Sequence, residues 1–103
     1  MATMKDKLEE IANHYGYQSQ ARQLIEEMAE LTVALNKEWR GMMGYIPLDE
    51  RVSRQNVIEE IADVELLLEQ LKYLMDCNWE VIKEKLNKTN RTMERMNLNS
   101  KSV

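Results

Sequence analysis

With 103 residues and a formal charge of −4, the chain has room for one small domain and lacks the basic surplus of a general nucleic-acid binder. Three Gly, one Pro and no Phe, beside abundant Glu, Lys, Leu and Met, leave few breaks and favour long helices over a sheet. The single cysteine, Cys77, excludes an intrachain disulfide and a cysteine-only zinc site within one chain, and no stretch is long and apolar enough to span a bilayer.

No secretory leader is expected, because Lys5, Asp6, Lys7, Glu9 and Glu10 interrupt any apolar run at the start. With the free thiol, this fits a reducing, cytoplasmic setting and a protein that needs no membrane. Residues 4–14 read as a first helix, with Thr3 as N-cap and Leu8, Ile11 and Ala12 as its apolar edge. Gly16, in Tyr15-Gly16-Tyr17, is suited to the positive φ that ends a helix. Residues 18–40 read as a second helix, whose stripe of Leu24, Met28, Leu31, Leu35 and Trp39 is expected to be core. Residues 41–52 hold two glycines and the only proline, and read as the one long connection.

Residues 53–76 read as a third helix capped by Ser53. Its stripe is Val57, Ile61, Val64, Leu68, Leu71 and Met75, and Leu66, Leu67 and Leu74 lie off it. A helix apolar on more than one face asks for cover on several sides, which points to a second subunit. Asp76-Cys77-Asn78 marks a turn, with Asp76 or Asn78 capping a fourth helix over residues 79–96. That helix has a packing edge of Trp79, Ile82 and Leu86 and is basic through Lys83, Lys85, Lys88, Arg91 and Arg95. The expected fold is all-α, an antiparallel four-helix bundle-like subunit spanning residues 1–96 and completed by oligomerisation, with a frayed polar tail at 97–103.

Two nearly repeated stretches carry the chemistry: Ile25-Glu26-Glu27-Met28-Ala29-Glu30-Leu31 and Ile58-Glu59-Glu60-Ile61-Ala62-Asp63-Val64. Glu27 with Glu30, and Glu60 with Asp63, are three residues apart and so share a helix face. Both pairs hold the same phase, on the shoulder of the apolar stripe and not opposite it, at about 100° per residue. Packed antiparallel, two such helices bring four carboxylates together. Such a cluster repels itself unless a cation neutralises it. All-oxygen ligation favours Mg²⁺, with Mn²⁺ as a substitute, over zinc. A ferritin-like site would need Glu-x-x-His motifs, and the only histidine, His14, is far from both stretches. The ordinary alternative is a pair of solvated glutamate faces, which would carry no matched phase.

Glu26-Glu27-x-x-Glu30 followed by Glu60-x-x-Asp63 resembles the EExxE…ExxD signature of the all-α nucleoside triphosphate pyrophosphohydrolases. That superfamily includes MazG-type enzymes, dimeric dUTPases and phosphoribosyl-ATP pyrophosphohydrolase. Over residues 15–95 the chain is most similar to short MazG-like proteins, some of them phage-borne. The resemblance implies a MazG-type fold and Mg²⁺-dependent attack of water on the α–β phosphate linkage of a nucleoside triphosphate. It implies Glu27, Glu30, Glu60 and Asp63 as metal ligands, with Glu26 or Glu59 as base or outer orienter. Asn87-Lys88-x-Asn90-Arg91 resembles the family's basic segment, which implies Lys88 and Arg91 as a clamp on the outgoing pyrophosphate. A homodimer or a dimer-of-dimers tetramer is implied as well. The stretch from Glu30 to Glu60 is at the long end for compact members, because of residues 41–52.

Gln20 and Gln23, roughly two turns and one turn before Glu27, are candidates for contacts to the base. Trp39 could stack on a base but fits the core stripe better. The competing functions are a helical oligomerisation module, with acidic faces paired to the basic fourth helix, and a nucleotide-binding sensor without turnover.

Overall fold

The computed structural model describes the backbone of residues 1–101 and the side chains of residues 1–98. It is all-helical there, with α1 (Met4–Tyr15), α2 (Tyr17–Met42), α3 (Glu50–Leu74) and α4 (Asn78–Lys101). Thr3 caps α1 in a reciprocal box: the Asp6 N–H donates to Thr3 Oγ1 at 3.1 Å, and the Thr3 N–H to Asp6 Oδ2 at 3.0 Å. Gly16, at φ +85°, is the one residue between α1 and α2. Its N–H donates to the Ala12 carbonyl at 2.8 Å, and its carbonyl accepts from the Gln20 N–H at 3.1 Å. A side chain would strain that backbone, so the sharp break between the helices depends on glycine.

The connection between α2 and α3 is shorter than expected. Gly41 and Met42 belong to α2, and α3 already starts at Glu50, leaving residues 43–49. The cap of α3 is Asp49, not Ser53: Asp49 Oδ1 accepts from the N–H groups of Arg51 at 3.1 Å and Val52 at 3.3 Å. The Ser53 N–H is already committed to the Asp49 carbonyl at 2.9 Å. The loop folds back because Gly41 has no Cβ. One placed there would stand 2.6 Å from Leu48 Cβ, so Leu48 sits directly on the last turns of α2.

α2 and α3 run antiparallel, since Gln20 near the start of one meets Gln70 near the end of the other. Leu24, Val64 and Leu67 form the core between them, with Leu31 and Leu71 packed against it. α1 packs against both helices. Its Ala12 is fully buried, and Asn13 Nδ2 donates to the Tyr73 hydroxyl at 2.8 Å. Within the chain, only part of each expected stripe is core. Met28, Leu35 and Trp39 on α2, and Ile61 and Leu68 on α3 with Met75 at its C-cap, remain exposed. The α2–α3 seam runs along a neighbouring line, and Leu67, off the expected stripe, is inside it.

α4 leaves this three-helix unit. A turn with Asp76 at φ +50° redirects the chain, and the Cys77 carbonyl accepts from the Val81 N–H at 3.0 Å, so Asn78 is the first helical residue and not the cap. Among the described residues α4 touches only α3, and none of its side chains is buried. It also continues through Lys101, so residues 97–101 are helical where a frayed tail was expected; residues 102–103 lie outside the described residues. The radius of gyration, 18.0 Å, exceeds the roughly 13 Å of a compact chain of this length. No described helix is long and apolar enough to cross a membrane.

Candidate metal centre

The two acidic motifs meet midway along the α2–α3 seam. Glu27 and Glu30 come from α2 and Glu60 from α3, and each offers a carboxylate oxygen within 4.8 Å of the other two. Glu27 and Glu60 are half-buried, and the Oε2 atom of each is closed off from water with no hydrogen-bond partner. Buried acceptors of this kind are costly unless something completes them. Gln23 Nε2 donates to Glu27 Oε1 at 3.0 Å and so orients that carboxylate from one turn away. Asp63 is exposed at the edge of the group, near enough to Glu27 to be perturbed by it.

The electrostatics is that of an unneutralised cluster. Loss of water pushes the Glu60 carboxyl up to about 7, reinforced by the adjoining Glu27 carboxylate and by the charges of Glu30, Glu27 and Asp63. Asp63 is raised as well, first by lost hydration, then by the charge of Glu27 and a hydrogen bond to it, then by Glu59. No lysine or arginine acts on either group. The donor set suits a hard divalent cation. Oxygens at about 2.1 Å from Mg²⁺, or about 2.5 Å from Ca²⁺, place opposite donors roughly 4–5 Å apart. The three carboxylates each offer an oxygen within 4.8 Å of the others, inside that range, and the two orphaned oxygens are acceptors an ion would satisfy.

The other expected site residues divide. Glu59 is exposed next to the cluster, is held by the Gln55 amide at 3.2 Å, and acts on Asp63 through its charge. Glu26 is exposed and is not among the groups acting on Glu60 or Asp63. Gln20 is not available to a base: it is 7% exposed, and its Nε2 donates to Gln70 Oε1 at 2.7 Å inside the seam. Gln23 contacts the centre only through Glu27. Lys88 and Arg91 are carried away on α4, where Arg91 shares a shallow depression with Glu84 and Glu94 of its own helix. Within one chain they do not join the carboxylates. Trp39 is 56% exposed and lies against Tyr45, ring centroids 5.7 Å apart.

Two residues that the sequence reading passed over border the centre. From Glu30 and Glu60 a cleft of about 350 Å³ opens past Lys37 and Asn56. Those two and Ala34 also border a second cleft of about 290 Å³ under residues 46–49. The signal was present in the spacing: Asn56 lies one turn before Glu60, and Lys37 two turns after Glu30, on the ligand faces. A separate cleft of about 510 Å³ lies between α1 and the end of α3, remote from the carboxylates; its Lys72 is already paired with Glu69 at 2.6 Å. Comparison of the chain with protein-family models, curated proteins and solved structures finds no match.

Proposed function

We propose that this protein is a Mg²⁺-dependent nucleoside triphosphate pyrophosphohydrolase of MazG-like type, releasing a nucleoside monophosphate and pyrophosphate. The observation that carries the reading is the convergence of Glu27, Glu30 and Glu60 around two buried, unpartnered carboxylate oxygens, with no lysine or arginine acting on Glu60. These residues, with Asp63 at the edge, would hold the ion. Bound there, Mg²⁺ supplies charge to the phosphoryl oxygens and lowers the pKa of a coordinated water.

The chain's own residues do the remainder. Gln23 fixes the rotamer of Glu27. Glu59, at the edge of the cluster, is better placed than Glu26 to take the proton of the attacking water and pass it to solvent. The water oxygen bonds to the α-phosphorus, and the bond from that phosphorus to the α–β bridging oxygen breaks. Its electron pair leaves on the pyrophosphate. The reading includes a homodimer or a dimer-of-dimers tetramer, supported by the apolar residues left exposed on α2, α3 and α4.

The separation of Lys88 and Arg91 from the carboxylates favours a second reading, a sensor that binds the metal–nucleotide complex without turnover. Pyrophosphate release from a panel of ribo- and deoxyribonucleoside triphosphates, with and without Mg²⁺, separates the two. We expect release only with Mg²⁺, and none from a folded Glu60→Gln variant. Binding of the Mg²⁺ complexes without release from any of them would replace the enzyme by the sensor.

A further inference from the structure

Building on the pyrophosphohydrolase reading, we infer that the cleft between α2, α3 and residues 43–49 receives the nucleoside end of the substrate, held at its neck by Lys37 and Asn56. The pyrophosphate then departs on the other side of the carboxylates.

The two clefts adjoin, since both are bordered by Ala34, Lys37 and Asn56, and the first of them ends on Glu30 and Glu60. Along the helices, Asn56 stands about 6 Å from Glu60 and Lys37 about 10 Å from Glu30, at 1.5 Å per residue. That is the reach of a sugar and base from a phosphorus held at the carboxylates. Polarity decides which end of the substrate enters. Lys37 is the only cation bordering either cleft, and among the described residues it has no carboxylate partner. The acid beyond it, Asp49, is occupied in capping α3. One lysine can grip the single α-phosphate, but it poorly matches the several negative charges of the β and γ groups.

Past the neck the walls are Ile46, Pro47, Leu48 and Val52, apolar surface suited to the faces of a base. The Asn56 amide makes no hydrogen bond within the described side chains, which leaves a donor and an acceptor together for a sugar hydroxyl or a base edge. The volume beyond the neck, about 290 Å³, lies at the lower end of small-ligand sites and leaves little room for more than one nucleoside.

The test is calorimetric titration of the full chain in Mg²⁺ with a panel of nucleoside monophosphates and, separately, with pyrophosphate. Wild type, Lys37→Met, Lys37→Arg and Asn56→Leu are compared, each shown to be folded by circular dichroism. Lys37→Met and Asn56→Leu should each weaken the best monophosphate by about tenfold and change pyrophosphate by less than about twofold, as expected for the loss of one charge-assisted or one neutral hydrogen bond. Lys37→Arg should recover most of the loss. Weakening of pyrophosphate with monophosphates unaffected would assign the cleft to the leaving group and overturn the inference. Monophosphate binding that is absent from wild type, or unaltered by both variants, would overturn it too. Because binding is read without turnover, a wild type that hydrolyses nothing fails the enzymatic reading and leaves the cleft to be judged on its own.

Discussion

At the scale of single residues, Glu60 ties stability to its own protonation and, on the proposed reading, to metal binding with the opposite sign. Folding raises its carboxyl from 4.5 to about 7, so between those values the native chain keeps a proton that the unfolded chain has lost. The contribution of this group to the stability of the metal-free protein is therefore full below about 4.5, falls as pH rises from there through about 7, and changes no further once Glu60 is ionised in both states. Thermal melts of metal-free protein should show a higher Tm at about pH 5.5 than at about pH 8, and Mg²⁺ should stabilise most at the higher pH, where no proton competes. Glu60→Gln should melt a few degrees above wild type at about pH 8, flatten the pH dependence and lose the Mg²⁺ shift. A variant that melts lower while keeping the Mg²⁺ shift would remove Glu60 from the centre. The Gln20–Gln70 pair gives a contrasting case. Gln70→Leu strands the Gln20 amide in the seam and should cost about 1–3 kcal/mol by urea unfolding, whereas Gln20→Leu with Gln70→Leu should recover most of that.

At the scale of elements, the loop of residues 43–49 depends on one missing methyl group. Gly41→Ala would ordinarily strengthen a helix by roughly 0.5–1 kcal/mol. Here the new Cβ would collide with Leu48, so the expected outcome is a net loss of about 1–2 kcal/mol, relieved in Gly41→Ala/Leu48→Ala. A single variant more stable than wild type in urea would show that Leu48 does not hold the loop to α2. Local spacing separates what could be read from the chain from what could not. The Thr3 cap, the Gly16 break and the shared phase of Glu27, Glu30, Glu60 and Asp63 follow from neighbours within a turn, and all were legible. The start of α3 was not, because Asp49 and Ser53 are both capping residue types about one turn apart, and local spacing does not choose between them. Gln20 was misread because its partner is 50 residues away. Within one chain Lys88 and Arg91 stand apart from the carboxylates, because the direction α4 takes after Asp76 is set by a turn whose outcome no periodicity encodes.

At the scale of the whole molecule, the apolar pattern exceeds what one chain can cover. Ile25, Met28, Leu35, Trp39 and Met42 on α2 follow alternating steps of three and four residues, with Thr32 between them. On α3 Ile58, Ile61 and Leu68, with Met75 at its cap, fall on the same line, although Glu65 and Lys72 occupy the steps between; on α4 Trp79, Ile82, Leu86, Met93 and Met96 keep the spacing with Thr89 between. All of these apolar residues are exposed in the single chain. Such a seam is how one helix packs along another, and soluble proteins seldom leave apolar surface of this extent open. Periodicity identified these faces as apolar but could not say whether the same chain or a second copy covers them. Charge points to the second copy. Residues 78–98 carry five basic and three acidic side chains, whereas residues 1–77 carry eight basic and fifteen acidic ones, so α4 of one chain would complement the charge of the body of another. We therefore expect a homo-oligomer in sedimentation equilibrium at micromolar concentration. Leu35→Glu and Leu68→Glu would each bury an unpaired carboxylate in an α2–α3 interface at a cost of several kcal/mol, raising the dissociation constant by about a hundredfold or more. Leu86→Glu tests α4 separately: dissociation by this change alone places α4 in the contact, and an unchanged assembly confines it to α2 and α3. A wild-type chain that sediments as a folded monomer would mean that these stripes are left open to water.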